Sequence, residues 1–138
     1  MTMDPTSSSI STGRPCVEPE DWPRLFSERL NVGDLDGVVA LYEPDARFVT
    51  PSGETLAGRE QIRPVLTGLI DAQTRLLGRV VNAVAAGGVV VLYTDFQGTT
   101  VDASGRTIEI EHKAIEVLRR QRDGTWRLLV GDPAGRAR

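Results

Sequence analysis

Residues 30–48 read LNVGDLDGVVALYEPDARF, and this stretch decides the fold. Asn31 and Gly33 tolerate the left-handed backbone conformation that ends a helix. Asp34 is suited to cap the helix that follows, because its side chain can accept a hydrogen bond from a free backbone N–H of the first turn. The stretch therefore predicts two consecutive helices that meet at Gly33, the second of which runs over about 34–42.

The spacing of apolar residues extends this prediction in both directions. Apolar residues recur every three to four positions over 22–30, which is typical of an amphipathic helix that faces a core. Pro44 is predicted to end the second helix, since proline cannot continue one. A short strand is predicted at 46–50, and helical spacing returns over 59–72.

The rest of the chain has the alternation and turn residues of strands. Two long strands are predicted at 75–86 and 89–101, a third at 106–121 and a closing strand at 125–132. Helices that come first and antiparallel strands that come later indicate an α+β domain, with the helices packed on one face of a curved sheet.

The length and composition fit one folded unit. The chain has 138 residues, of which 40% are hydrophobic, and this is enough for a single core. Residues 1–17 are rich in Ser, Thr, Pro and Gly and are predicted to be a disordered tail that contains the only cysteine, Cys16. The domain is expected to span 18–133, and 134–138 are expected to form a C-terminal tail.

Several classes of protein are disfavoured by charge and composition. A net charge of −3 and a pI near 5.2 give no basic field for nucleic acid or for an anionic membrane. The N-terminus lacks the basic and apolar regions of a signal peptide, and no apolar run is long enough for a membrane helix, so a cytoplasmic protein is expected. One histidine and one cysteine cannot form a zinc site, and no glycine-rich loop leads from a strand into a helix. We therefore expect neither a metal nor a cofactor.

Polar groups in the middle of an apolar strand face suggest a ligand pocket. One face of the 106–121 strand carries Ile108, Ile110, His112, Ala114, Glu116 and Leu118. His112 and Glu116 are four residues apart, so their Cα atoms should lie roughly 13 Å apart on the same face. A carboxyl group in an apolar pocket has a raised pKa, and a histidine can transfer protons near neutral pH. The alternative is structural: Glu116 pairs with an arginine and His112 bonds to a backbone carbonyl.

The neighbouring strand, 89–101, leaves its orientation open. Tyr93, Asp95 and Gln97 share one face, and hydrophobicity alone does not decide whether that face is inner or outer. Asp95 is a candidate base if its face lines the pocket. If it does not, Asp95 is a carboxylate on a solvent-exposed or dimerising surface.

Three stretches resemble a known superfamily in their order and spacing: 30–48, Gly58–Arg63 (GREQIR) and Arg122–Arg127 (RDGTWR). Together they resemble the ketosteroid isomerase branch of the nuclear transport factor 2-like superfamily, which includes the SnoaL-like polyketide cyclases. The resemblance implies a cystatin-like cone, in which three N-terminal helices pack in a strongly curved, mixed but mainly antiparallel sheet. It also implies that a ligand is bound inside the cone.

The same resemblance argues against one specific reaction. The aspartate that serves as general base in the isomerases falls at Thr50 here, and their oxyanion-binding tyrosine falls at Phe26. Only their second oxyanion donor, a protonated aspartate, has an acidic counterpart, at or near Glu116. Threonine is no base at neutral pH and phenylalanine has no hydroxyl, so steroid isomerisation by that mechanism is not expected.

The candidate site follows from these two lines of reasoning. Glu116, His112 and Asp95 are the candidate acid/base groups. The candidate ligand-contacting residues are Phe26, Tyr42, Phe48, Thr50, Leu66, Tyr93, Ala114, Leu118 and Trp126.

The ending VGDPAG, at 130–135, and the length also resemble the small SgcJ/EcaC-type proteins of actinobacterial polyketide clusters, including enediyne clusters. This implies a homodimer that binds a hydrophobic polyketide-like molecule and can catalyse a cofactor-free proton transfer, cyclisation or dehydration. Two alternatives remain: a binding or chaperone protein that shields a reactive intermediate, and an oligomerisation module. Ile115 and Val117, flanked by charged residues, make dimerisation through the sheet face plausible under each of them.

Overall fold

A computed structural model of the protein describes residues 14–138. Within these residues the first element is a single turn of 3-10 helix, Pro19–Asp21, and it is followed by three α-helices and six strands. In chain order these are α1 (Trp22–Asn31), α2 (Leu35–Val39), β1 (Tyr42–Val49), β2 (Thr55–Ala57), α3 (Gly58–Asp71), β3 (Arg75–Ala86), β4 (Val89–Val101), β5 (Thr107–Arg120) and β6 (Trp126–Asp132).

The six strands form one sheet in the order β2-β1-β6-β5-β4-β3. Every neighbouring pair is antiparallel except β1 and β6, which run parallel. Helix α1 packs against β3, α3 packs against β1, and the two helices also touch each other. Because β1 and β3 belong to opposite halves of the sheet, the sheet must curve around the helices.

The junction between α1 and α2 is formed as the sequence predicts. Gly33 has a positive φ of 75°, and the Asp34 side chain accepts a hydrogen bond from the Gly37 N–H at 3.0 Å. The second helix is shorter than predicted, since it ends at Val39 and Tyr42 already belongs to β1. Pro44 therefore lies inside a strand and does not end a helix. It is tolerated because it falls where the pairing of β1 with β6 is irregular.

The other element boundaries follow the sequence prediction closely. Strands β3 and β4 have the predicted bounds, and β5 and β6 differ from prediction by one residue at their ends. Helix α3 starts at Gly58 and continues through Pro64, at the cost of the hydrogen bond that residue 64 would have donated to the Glu60 carbonyl. The short strand β2 was not predicted. It forms because the chain turns after Val49 and pairs back onto β1.

The orientation of β4 is settled by burial. Its buried residues alternate and point towards the helices: Val90, Leu92, Thr94 and Phe96. Tyr93 and Asp95 lie on the opposite, outer face of the sheet. The inner face of β5 carries Ala114, Glu116 and Leu118, all of which are buried.

Both ends of the described chain are attached to the sheet. Of the predicted tail 1–17, residues 1–13 lie outside the described residues. Cys16 is 2% exposed and packs in the core, and its carbonyl accepts a hydrogen bond from the Trp126 N–H at 2.8 Å. At the other end, the Arg136 N–H donates to the Lys113 carbonyl at 2.9 Å, so the predicted tail 134–138 is hydrogen-bonded to β5.

No helix within residues 14–138 combines the length and the apolar character needed to cross a membrane.

Candidate functional site

A cavity of about 70 Å³ lies between the helices and the inner face of the sheet. It is mostly apolar, and its lining consists of Trp22, Phe26, Tyr42, Phe48, Leu66, Leu69, Leu76, Phe96, His112, Ala114, Glu116, Leu128, Gly131, Asp132 and Pro133. This volume exceeds the ~10–15 Å³ that one water needs, but it is well below the ~300 Å³ of a small drug-sized pocket. The cone therefore contains an internal cavity, but a drug-sized ligand must widen this cavity in order to bind.

Glu116 brings a buried carboxyl group to this cavity. The residue is 5% exposed, and one of its oxygens, Oε1, accepts a hydrogen bond from the Thr94 hydroxyl at 2.8 Å. Burial raises the pKa of Glu116 from 4.5 to about 7, although the Thr94 hydrogen bond and the charge of Arg136 act in the opposite direction. Near neutral pH this carboxyl group therefore holds a proton in a substantial fraction of molecules.

His112 lies on the same face of β5, two positions from Ala114 and four from Glu116. It is half-buried, and its imidazole has no hydrogen-bond partner within the described part of the chain. Burial lowers the pKa of His112 below its usual value of 6.5. The imidazole is therefore mainly neutral near neutral pH and is able to accept a proton.

Two further polar groups border the cavity. Tyr42 is buried, and burial together with the nearby Glu116 carboxyl raises the pKa of its phenol. Asp132 is held by Arg138, whose guanidinium donates to both carboxylate oxygens at 2.7 and 2.8 Å. The oxygens of Asp132 are thus already engaged, whereas the phenol of Tyr42 stays protonated across the physiological pH range.

The structure brings together seven of the twelve residues that the sequence proposes for the site. The cavity-lining ones are Glu116, His112, Phe26, Tyr42, Phe48, Leu66 and Ala114. They come from α1, β1, α3 and β5, so the helices and two separate strands all contribute to one cavity.

Asp95 does not reach the cavity, and the proposal that it acts as a base there is wrong. It lies on the outer face of β4, where Arg136 and Lys113 form ion pairs with its carboxylate. The hydrogen bond from Arg136, supported by Lys113, lowers the pKa of Asp95 below its usual range. The cause is register, because the inner positions of β4 are its even-numbered residues from Val90 to Phe96.

Four other predicted ligand-contacting residues also lie away from the cavity. Tyr93 is on the outer face beside Asp95, and Leu118 is fully buried in the core. Thr50 follows β1, where its hydroxyl is within 3.0 Å of the Ser52 hydroxyl and accepts the Glu54 N–H. Trp126 borders a separate, more polar pocket near Arg29.

The sequence reasoning missed several lining residues. Trp22 and Phe96 are the largest of them; Trp22 stacks on Phe26 and Phe96 meets Phe26 edge-on. Thr94 was also missed as the partner of Glu116. The cross-strand register would have indicated this contact. Thr94 pairs with Ala114 and Leu92 pairs with Glu116, so Thr94 lies diagonally across from Glu116 on the same face of the sheet. That register is known only once the orientation of β4 is known.

Within residues 14–138, no group of three or more His, Cys, Asp or Glu side chains is arranged to hold a metal ion. The chemistry that this cavity can support with its own residues is proton transfer and hydrogen bonding. Glu116 is the candidate acid and His112 is the candidate base.

Solved structures of the same fold are numerous. A ketosteroid isomerase-like protein from Erwinia carotovora has a TM-score of 0.69 at 16% identity, covering 78% of this chain and 85% of that one. A putative calcium/calmodulin-dependent protein kinase type II association domain from Thiobacillus denitrificans has a TM-score of 0.68 at 21% identity, covering 87% and 98%. An NTF2-like protein with a cystatin-like fold from Novosphingobium aromaticivorans has a TM-score of 0.68 at 13% identity, covering 82% and 76%.

At these identities the likeness concerns the fold alone, and it confirms the α+β, cystatin-like architecture that the sequence predicts. No curated protein sequence matches the chain. The model of the family described as the SnoaL-like domain matches residues 24–129, from within α1 into β6. This match includes most of the helices and strands that build the cavity, and the chain therefore belongs to the SnoaL-like domain family.

Proposed function

We propose that the protein binds a small hydrophobic, polyketide-like molecule in the cone and catalyses a cofactor-free proton transfer on it, as cyclisation and dehydration require. One observation carries this proposal: the neutral acid Glu116 and the neutral base His112 border the same, otherwise apolar cavity. An acid that still holds its proton and a base that is free to take one are the two groups that general acid–base catalysis needs near neutral pH.

The lining supports an unsaturated, apolar ligand. The aromatic side chains around the cavity are Trp22, Phe26, Tyr42, Phe48 and Phe96. Flat conjugated molecules stack well on such rings. The cavity volume of about 70 Å³ means that a polyketide-sized ligand must displace some of the lining side chains.

A second candidate function is binding without reaction, which protects a reactive intermediate from water. The position of Asp95 favours it. Asp95 is the only carboxylate on β4, and because it lies on the outer face it cannot act as a base in the cavity. Besides Glu116, Asp132 is the other acidic residue that lines the cavity, and Arg138 donates hydrogen bonds to both of its carboxylate oxygens. If the protein only shields a ligand, replacing Glu116 and His112 by residues of similar size is expected to leave ligand binding intact. No reaction is lost, because none is catalysed.

We also propose that two copies of the protein associate as a homodimer in the cytoplasm, and the outer sheet face supports the association. Ile115 and Val117 lie there half-buried, and Leu77 and Val84 on β3 are exposed. Apolar side chains on an open sheet face favour a protein partner. The same surface would serve a pure oligomerisation module, which needs no cavity at all.

The two tryptophans allow a direct test of ligand binding. Trp22 lines the cavity, whereas Trp126 does not, so a Trp126→Phe variant has a single fluorophore at the site. Titration with β-ionone, a conjugated methyl ketone, is expected to quench the Trp22 fluorescence to saturation. A Trp22→Phe variant, which retains only Trp126, is the matched control and is expected to show no saturable change.

Proton transfer is measured on the same probe. In D2O, the protons next to the β-ionone carbonyl are expected to exchange faster with the wild-type protein than with Glu116→Gln or His112→Asn, as followed by proton NMR. Quenching with equal exchange in all three proteins would favour the binding-only function. The absence of saturable quenching would contradict ligand binding in the cone.

A further inference from the structure

We infer that a second pocket, outside the cone, binds the phosphate group of a small phosphorylated molecule through the guanidinium groups of Arg29 and Arg127. The pocket lies where the N-terminal segment is hydrogen-bonded to the start of β6. It shares no lining residue with the cavity of the cone. The two sites are therefore separate, and binding at this one does not depend on the proposed function.

The lining of this pocket has a surplus of positive charge. Arg14, Arg29 and Arg127 all border it, whereas Asp123 is the one acidic residue among the described lining residues. Arg14 forms an ion pair with Glu28 at 3.3 Å, on the surface, so the surplus comes from the other two arginines. A pocket whose walls carry one sign of charge attracts ligands of the opposite sign.

Arg29 supplies a positive charge that is fixed in position. It is 2% exposed, and its guanidinium donates to the backbone carbonyls of Gly37 and Arg14. Burial lowers the pKa of Arg29, and the charge of Arg14 acts in the same direction, although Asp34 opposes it. Carbonyl groups accept hydrogen bonds but carry no net charge, so these two bonds orient the guanidinium and leave its charge in place.

Arg127 brings a second guanidinium to the pocket. It is half-buried, and it has no hydrogen-bond or ion-pair partner among the described residues. Asp123 lies nearby, but its Oδ1 accepts the Thr125 hydroxyl at 2.6 Å, which is the main cause of its lowered pKa. Glu43 also lies nearby, but the guanidinium of Arg119 donates to it at 2.8 Å and is the main cause of its lowered pKa. Arg127 acts on both carboxylates only through its charge, so its donors are available to a ligand.

A like charge close to Arg127 adds to the case for an anion. Burial lowers the pKa of Arg59, and the charges of Arg127 and Arg63 lower it further. Arg63 has a partner of its own, since it forms an ion pair with Asp36 at 3.0 Å. An anion beside Arg127 offsets the repulsion that remains, and a guanidinium can donate two parallel hydrogen bonds to a carboxylate or a phosphate.

The size and the charge of the pocket favour an organic phosphate. Its volume is about 200 Å³. At ~10–15 Å³ for each water, this is room for roughly fifteen water molecules, which is more than a phosphate group fills. Pro15, Ala40 and Leu41 supply apolar surface for the rest of the ligand. A phosphate monoester has a charge of about −1.5 to −2 near pH 7 and therefore offsets more of the surplus than a carboxylate does.

The site is tested with phenyl phosphate and benzoate, which have the same ring and differ in the acidic group. Their affinities for the wild-type protein are measured by proton NMR titration, slightly above neutral pH and at equal ionic strength. We expect phenyl phosphate to bind roughly tenfold more tightly, as one further charge-assisted hydrogen bond implies. Inorganic phosphate is expected to displace phenyl phosphate, but with a lower affinity, because it lacks the apolar ring.

Three variants locate the binding. Arg127→Gln removes the guanidinium and is expected to weaken the binding of phenyl phosphate roughly tenfold or more. Arg127→Lys keeps the charge but lacks the paired donors, so its affinity is expected to lie between those of Arg127→Gln and the wild type. Arg122→Gln is the matched control, because Arg122 is an exposed arginine of the same hairpin that does not line the pocket. It is expected to bind phenyl phosphate as the wild type does.

Equal affinities of phenyl phosphate for the wild type and Arg127→Gln would overturn the site, and this is also the result expected if the ring binds in the cone. Equal affinities of phenyl phosphate and benzoate would rule out phosphate as the ligand class. If inorganic phosphate binds as tightly as phenyl phosphate, the ligand is the free ion and the organic part of the assignment is wrong. Quenching of Trp22 by β-ionone reports on the cone alone, so a failure of one site is distinct from a failure of the other.

Discussion

Glu116 and Asp95 are carboxylates on neighbouring strands of one sheet, and they lie on opposite faces of it. Glu116 faces the cavity, and burial raises its pKa to about 7. Asp95 faces outwards, where Arg136 and Lys113 lower its pKa. Thr94, the partner of Glu116, is the residue directly before Asp95 in the chain. A shift of one residue in the register of β4 would turn Asp95 towards the cavity and Thr94 towards the outer face, so the face that a residue occupies decides its chemistry more than its type does.

The largest expected difference between the two faces is in packing. Leu92 is fully buried on the inner face of β4 and lies opposite Glu116, so Leu92→Ala should lower the free energy of unfolding by ~2–5 kcal/mol through lost contacts and a new cavity. Urea unfolding measures this change. Gln97→Ala, on the exposed outer face of the same strand, is the matched control and should change stability by less than ~0.5 kcal/mol. Similar losses in the two variants would show that the inner face is not the core.

The next effect separates the two carboxylates by pH. A buried acid with a raised pKa contributes stability that is complete below its unfolded pKa, near 4.5, and is lost as the pH rises through its folded pKa, near 7. Glu116→Gln removes this loss, because glutamine stays neutral. Relative to the wild type, the variant should gain about 3 kcal/mol between pH 5 and pH 8, at about 1.4 kcal/mol for each pKa unit.

Urea unfolding of both proteins across this pH range provides the measurement. A constant difference between wild type and Glu116→Gln would mean that folding does not raise the pKa of Glu116. His112 titrates in both proteins, and its lowered pKa acts with the opposite sign, so comparing the two proteins removes its contribution.

The smallest effect belongs to the outer face. Asp95→Asn removes the negative partner of Arg136 and Lys113, but solvent screens these ion pairs. We expect a slight decrease in the urea midpoint at neutral pH that disappears in high salt, and that also disappears as the pH falls from 3.8 through the lowered pKa of Asp95 in the folded protein. A large loss that persists in high salt would mean that Arg136 holds the C-terminal residues to the sheet by more than charge.

The comparison also shows which parts of the molecule can be predicted from sequence. The junction at Gly33 and Asp34 and the bounds of β3 and β4 follow from local signals: a left-handed glycine, a capping aspartate and alternating apolar residues. His112 and Glu116 were placed on one inner face because the alternation on β5 is unambiguous. For these features, short-range physics is sufficient.

The errors have a common cause in long-range structure. β4 carries polar residues on both faces, so its orientation depends on pairing with β5 and on contacts with the helices. The face of Asp95 and Tyr93 could not be decided from the sequence for this reason, and Thr94 was missed. Pro44 and Cys16 were misread because β1 and the N-terminal segment each rely on β6, which follows some 80 or more residues later in the chain.

The dependence of β1 on β6 has a consequence for how the chain reaches its fold. β1 has the short β2 on one side and β6, the last strand, on the other, whereas β3, β4 and β5 pair in sequence through hairpins. Closing the sheet around the helices requires a loop of nearly the whole domain, which is slow to form relative to local pairing. During synthesis the hairpins of β3 to β5 can form first. One edge of β1 must wait, with its backbone N–H and C=O groups unpaired, until the final strand emerges from the ribosome.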